Sequence, residues 1–385
     1  MRAPSETAIL AVTVALVEFV HAALLFVLLP TLVSHRMGWG IATTGAAVST
    51  YFFAEVACKL LSGWLVDHLG ARRMLLIGFW LYAAAFAGLV LSRTTWEAFL
   101  ALVLMGAGAS PLWPAALTRL TRSAGQGVGG ALGQIFSTWF LGAGVGIGFA
   151  TLLSRTNHPV SLGSFLIPLL GAGALSFLLP RDVERHPEGR RPAVGAMLRL
   201  MIQSVSKLAT SLIPQIIAAG VLIPIVVPYL EIERGLDERE LLVLMILGMG
   251  TGLALLAPAG RIGDRVGRRR TYGIGLGAVA LLMFAVPFCR PFWALALNFV
   301  CMGVGYAFVL PAWNSILLRL LPEGVRGAGL GVLMTIEGLG GVIGPLLGGL
   351  IAQWLTLSYP FYLSGSLLLL ASGASTQWRA EAVEG

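Results

Sequence analysis

Charge is scarce in this sequence. Only 11% of its 385 residues are Asp, Glu, Lys or Arg, against roughly a quarter in a soluble domain. Hydrophobic residues make up 57% and the mean hydropathy is +0.85. That much apolar surface cannot be hidden inside a water-soluble globule, so the lipid bilayer is the solvent the chain fits. Lysine is nearly absent: Lys59 and Lys207 stand against 24 arginines. Neither lysine closes a Gly-x-x-x-x-Gly-Lys phosphate loop, which disfavours a primary pump. Cys58, Cys289 and Cys301 show no pair spacing, so they read as packing thiols rather than a disulfide or metal set. Neither His-Glu-x-x-His nor Gly-x-Ser-x-Gly occurs, and no carboxylate in an apolar run has a nucleophile beside it. An enzyme is therefore not expected, nor a metal or cofactor. The net charge of +8 does not point to nucleic acid. The arginines fall in short segments between apolar runs, and no polar domain exists to carry a basic face.

What the chain has in plenty is long apolar runs. Twelve reach about the length that crosses a bilayer: roughly 7–33, 41–66, 72–92, 96–118, 128–153, 161–180, 208–230, 240–262, 271–289, 292–318, 328–354 and 358–378. The first is too long for a signal-peptide core and lacks an obvious cleavage site, so it reads as a retained helix. Only helices satisfy the backbone in hydrocarbon without a closed barrel, so the expectation is an all-α membrane protein. With the N-terminus inside, inside segments hold 19 basic residues and outside segments 6. The positive-inside rule then puts both termini in the cytoplasm. The polar, Arg- and Pro-rich segment 181–207 separates a first half, 1–180, from a second, 208–385. Its latter part, 193–207, has helical apolar spacing with basic residues, as a helix lying on anionic headgroups would.

The halves repeat. Gly63, Asp67, Gly70 and Arg73 recur as Gly260, Asp264, Gly267 and Arg270, each 197 residues on. Met105-Gly106 matches Met302-Gly303, Pro114 matches Pro311, and Gly127 and Gly130 match Gly324 and Gly327 by the same step. An even number of spans per half makes the repeats parallel, which gives two six-helix bundles with a site between them. The doubled Gly-x-x-x-Asp-x-x-Gly-x-Arg-Arg turn, the twelve runs and the basic central loop together resemble the major facilitator superfamily. That resemblance implies a secondary transporter of a bacterial cytoplasmic membrane, working by alternating access and driven by an ion gradient rather than a cofactor. It also implies that the turn residues close the cytoplasmic side, with Asp67 engaging a helix terminus and an Arg. Taken alone, the turns read simply as anchored loops.

Few ionisable residues lie deep in the runs: Glu18, His21, Glu55, Lys59 and Glu337. A charge at mid-membrane costs about 2.5–3.5 kcal/mol on insertion scales. Glu18 and His21 are three apart and share a helix face; Glu55 and Lys59 are four apart in the favourable order. At 1.5 Å per residue Glu18 lies about 16 Å into its run, and Glu55 about 18 Å from the same surface. Stepping by 197, Glu18 meets Gln215, His21 meets Ala218, Glu55 meets Gly252 and Lys59 meets Leu256. The fold does not require these charges in the second half, so the first half carries them for function. Glu18 with His21 reads as a proton-coupling or substrate site, since imidazole titrates near neutral pH. Glu55 with Lys59 reads either as part of that site or as a neutralised structural pair.

Glu337 begins a glycine-rich stretch, with Gly340, Gly344, Pro345, Gly348 and Gly349, that resembles the superfamily's antiporter motif but lies in the eleventh run rather than the fifth. Close helix packing with a kink is the reading it favours. Trp113, Trp313 and Asn314 read either as cavity-lining residues or as packing and interface anchors. Val17-Glu18-Phe19-Val20-His21, Ser110-Pro111-Leu112-Trp113, Leu310-Pro311-Ala312-Trp313-Asn314 and 338–351 further resemble the flippases of the lipoteichoic-acid glycolipid anchor. In that branch the corresponding residues, Glu18, His21, Glu55 and Trp113, serve proton coupling and sugar-headgroup binding; the branch has Arg where this chain has His21, and lacks Lys59. The expected substrate is an amphipathic molecule or lipid, with glycolipid flipping first and proton-coupled multidrug export as the alternative. A monomer is expected.

Overall fold

The computed structural model describes residues 6–123, 128–153, 162–180, 209–320 and 326–376. The segment 181–207, and with it the expected surface helix, lies outside the described residues, as do Gly127 and Gly324. Among the described residues everything regular is helical. The first helix, α1 (Glu6–Ala23), continues as a π-helix over Leu24–Val33 and a last turn, Ser34–Met37. Then come α2 (Ile41–Leu69), α3 (Ala71–Leu91), α4 (Thr95–Ala109), α5 (Leu112–Ser123), α6 (Val128–Leu153) and α7 (Leu166–Phe177). The second half holds α8 (Ala209–Leu222), α9 (Val226–Pro228, running into a π-helix Tyr229–Glu233), α10 (Glu238–Val266) and α11 (Arg268–Ala285). It ends with α12 (Phe292–Leu320), α13 (Arg326–Trp354) and α14 (Tyr359–Ser375). Each of the twelve apolar runs holds a helix. Eight are long and apolar enough to cross a membrane among the described residues, nine if the bent pair Ala209–Leu222 and Val226–Glu233 is one span.

The chain divides into two compact units, Met1–Glu184 with Val226–Pro228, and Arg185–Ile225 with Tyr229–Gly385. Inside each unit the same helices touch. The first packs on the fifth and sixth spans (α1 on α6 and α7; α8 on α13 and α14), the second on the fourth, and the third on the fourth and sixth. The 197-residue step reappears in these contacts. A Cβ added at Gly106 would strike the Tyr51 carbonyl, and one at Gly303 would strike the Gly248 carbonyl. Gly78 faces the Gly108 carbonyl as Gly275 faces that of Gly305. Small residues here let two backbones touch, which is what holds helices together where lipid removes the hydrophobic drive.

The step slips at the first span of each unit. Gly146 abuts Phe19, whereas Gly344 abuts Gly220, offsets of 198 and 201. Laying 197 along α1 therefore misaligns it in space with α8. With 201, Glu18 and His21 fall on Ala219 and Leu222. The inference that the second half lacks the charges stands, but Gln215 is not Glu18's spatial counterpart. The fourth run also differs from the expected single helix. It turns at Ser110–Pro111, where Pro111 cannot donate, while Pro311 sits inside the continuous α12.

The repeated turns are built alike. Gly70 has φ +89° and Gly267 φ +102°. Each N–H closes the helix before it, on Val66 and Gly263 carbonyls, and each carbonyl opens the helix after it. With ψ 148° and 126°, this backbone region is nearly closed to residues with a Cβ, at about 1–3 kcal/mol. Gly70→Ala and Gly267→Ala are each expected to lower stability by that amount in thermal unfolding of the detergent-purified protein. Gly63→Ala, inside α2 with open space around it, is expected to leave it unchanged or raise it.

Candidate functional site

The charged residues of the first unit converge on one pocket. Glu18 and His21 stand one helical turn apart on α1, with His21 Nδ1 3.3 Å from Glu18 Oε2. Tyr51, Glu55 and Lys59 stand on one face of α2, and Lys59 Nζ donates to Glu55 Oε1 at 2.7 Å. Glu18, Glu55 and Lys59 are 5%, 8% and 7% exposed. The pocket has about 500 Å³ of atom-free space, open mouth included. Glu18, His21, Tyr51 and Glu55 supply its polar wall; Leu10, Val14 and Val17 of α1, Leu75 and Phe79 of α3, and Leu112, Trp113 and Ala116 of α5 supply most of the apolar one. Trp113 lies edge-on to Trp139 at 6.5 Å. Lys59 is not part of the lining; it holds Glu55 from behind.

Among the buried polar atoms around this pocket, His21 Nε2 completes no hydrogen bond, and the Tyr51 and Tyr82 hydroxyls have no partner but each other. Tyr51 and Tyr82 meet edge-on at 6.5 Å, and the His21 ring lies tilted against Tyr51 at 5.3 Å. A buried polar group without a partner costs roughly 1–3 kcal/mol. Such an atom in the lining, with a tyrosine hydroxyl beside it, marks a surface suited to polar groups of a ligand. The tyrosines escaped the sequence reading because tyrosine in an apolar run carries no signal until its neighbours are known.

The second unit treats its residues differently. Trp313 Nε1 donates to Glu337 Oε1 at 3.0 Å, Trp313 stacks on Tyr272 at 5.4 Å, and the Tyr272 hydroxyl donates to Gln215 Oε1. Asn314 is half-buried beside Trp313. Gly340, Gly344 and Gly348 all abut α8 backbone at Ile216, Gly220 and Val221, so close helix packing accounts for them.

At the repeated turns, Asp264 pairs with Arg268 at 2.8 Å on an exposed face, a contact worth about 0–1 kcal/mol. The Asp67 side chain lies outside the described residues. Gly63 and Gly260 lie within α2 and α10, and Arg73 and Arg270 are exposed. It is the arginine before each of these two that makes the long-range tie. Arg72 donates to the Phe177 carbonyl at 2.9 Å and Arg269 to the Ser375 carbonyl at 2.9 Å, each the C-terminal end of its own unit's last helix. A cation there meets the negative end of the helix dipole. The far ends match: Arg36 donates to Leu89 and Val90 carbonyls, and Arg234 to those of Val286 and Pro287.

Comparison with known proteins follows the same lines. The chain matches the Major Facilitator Superfamily over residues 10–212 and 208–380. The proton-coupled antiporter flippase LtaA of Staphylococcus aureus (strain USA300) is 28% identical over 340 residues, covering 86% of this chain and 84% of that protein. Among solved structures, a D-xylose-proton symporter superposes with a TM-score of 0.79 at 15% identity, over 98% of each chain. The nucleoside transporter NupG gives 0.77 at 14% identity, over 98% of this chain and 100% of that one.

Proposed function

We infer that this chain, which belongs to the major facilitator superfamily, moves an amphipathic lipid across the bilayer by proton-coupled alternating access. Glycolipid is the favoured cargo and a bacterial cytoplasmic membrane the expected site. The observation that carries this reading is the first unit's pocket, where a carboxylate–imidazole pair and a second carboxylate share one cavity with an apolar wall. The polar wall suits a hydroxyl-rich headgroup, with the Tyr51 hydroxyl as a donor and His21 Nε2 accepting from a hydroxyl when the imidazole is neutral or donating to one when it is protonated. The apolar wall, with Trp113, suits a sugar face or the first carbons of a lipid tail. The likeness to a flippase named as a proton-coupled antiporter supports both the coupling and the lipid. His21 Nδ1, 3.3 Å from Glu18 Oε2, is placed to exchange a proton with that carboxylate or hold its charge.

Multidrug export is the second reading, favoured by the acidic residues in an apolar-walled pocket, which would equally receive an organic cation. Proteoliposomes with an imposed pH gradient separate the two. A fluorescent glycolipid is expected to change leaflet with the gradient and a cationic dye is not. Dye transport without lipid movement would replace the flippase reading with the exporter.

A further inference from the structure

The two units fill one corresponding volume in opposite ways. The 197-residue step is exact in space for the third and fourth spans, where Gly78 and Gly108 repeat as Gly275 and Gly305. On those spans the first unit's pocket is walled by Leu75 and Ala116. Their counterparts are Tyr272 and Trp313. Both are buried, at 0% and 4% exposure, and stacked with their planes 23° apart. Facing them, α8 contributes Gln215, which accepts from the Tyr272 hydroxyl, and Ser211, whose Oγ lies 3.1 Å from that hydroxyl and donates to the Ala371 carbonyl at 2.7 Å. Trp313 in turn donates to Glu337 of α13. The pair is thereby fastened to the helices around it, with its hydroxyl and indole N–H both engaged. In the first unit the situation is reversed: the volume is open, His21 Nε2 has no partner, and the Tyr51 and Tyr82 hydroxyls have only each other.

We propose that Tyr272 and Trp313 are a built-in aromatic plug that closes the second unit's counterpart of the pocket, so that the polar part of the cargo is received by the first unit alone. The plug stands on the packing itself. The clause about cargo rests on the function proposed above. A large aromatic pair is a firm stopper because a well-packed interior does not yield volume without loss of contacts. Its polar ties, accepted by Gln215 and Glu337, orient the rings, while the packing itself does the closing.

The test reads water access to the closed volume through a thiol introduced by Gln215→Cys and labelled in proteoliposomes by a small charged thiosulfonate; protein without it gives the background of Cys58, Cys289 and Cys301. With the stack intact, labelling is expected to be slow. Tyr272→Leu with Trp313→Ala, which installs the first unit's residues, is expected to speed it about tenfold or more, since thiol reaction follows exposure. Tyr272→Phe keeps the ring and is expected to stay slow. Trp313→Ala alone serves if the double variant is not monodisperse. Labelling of the Gln215→Cys thiol equally fast with and without the stack would overturn the plug. Maltose, as a soluble headgroup probe, is expected to slow labelling of a Val17→Cys reporter in the stacked protein, and of the Gln215→Cys reporter only once the plug is removed. Opening of the Gln215→Cys reporter with no protection by maltose at either position would keep the plug and overturn the glycolipid reading instead.

Discussion

Replacing Glu18 by Gln is expected to bring gradient-driven glycolipid movement down to the rate seen without a gradient. The substitution keeps the shape of a side chain that is only 5% exposed and keeps an oxygen for His21 Nδ1, 3.3 Å away. What it removes is the ability to bind and release a proton. It also relieves the cost of a charge at mid-depth, about 2.5–3.5 kcal/mol, so thermal stability in detergent should hold or rise. Loss of transport without loss of stability is then a coupling defect and not a folding one. Downhill exchange of the same lipid, measured without a pH gradient, should persist. If gradient-driven movement by Glu18→Gln equals that of the parent, the proton is carried elsewhere and the coupling assignment falls.

The second large effect concerns Glu55 and Lys59. Lys59→Met alone leaves a carboxylate buried and unpaired, which typically costs about 3–5 kcal/mol; Glu55→Gln alone strands a buried ammonium to similar effect. The double variant removes both charges from a site where desolvation roughly offsets their attraction, so its stability is expected to return close to the parent's. Transport decides what the pair is for. Glu55 lines the pocket and Lys59 does not, so the double variant is expected to be stable but slow in glycolipid movement. Full transport by a stable double variant would make the pair purely structural.

Much of this was legible in the residues. Spacing alone put Glu18 beside His21 and Glu55 beside Lys59, because a helix fixes neighbours three and four apart. The doubled turns gave a register that recurs in glycine contacts across the second, third and fourth spans. The limits have physical causes as well. Spacing says nothing of partners on other helices, so the stack of Trp313 on Tyr272 and the facing hydroxyls of Tyr51 and Tyr82 were invisible. A register measured at turns does not survive a difference in chain length between spans: Phe19 lies 44 residues before Gly63 but Gly220 only 40 before Gly260, and the π-helix of the first unit has ten residues where that of the second has five. In the Arg pairs, residues 72 and 73 look equivalent as letters. Only the helix phase shows that Arg72 faces the end of α7 while Arg73 faces out.

Those guanidinium ties fix the third span of each unit at both ends. In the first unit α3 begins at Arg72, tied to the end of α7, and ends under Arg36 from the close of the first span; α11 is held likewise by Arg269 and Arg234. A rod clamped at both tips has lost one degree of freedom in particular, translation along its own axis. Shear between packed helices, one of the two common routes to domain motion, needs that translation. Within each unit the third span thus acts as a keel, seated against the ends of the first and last spans.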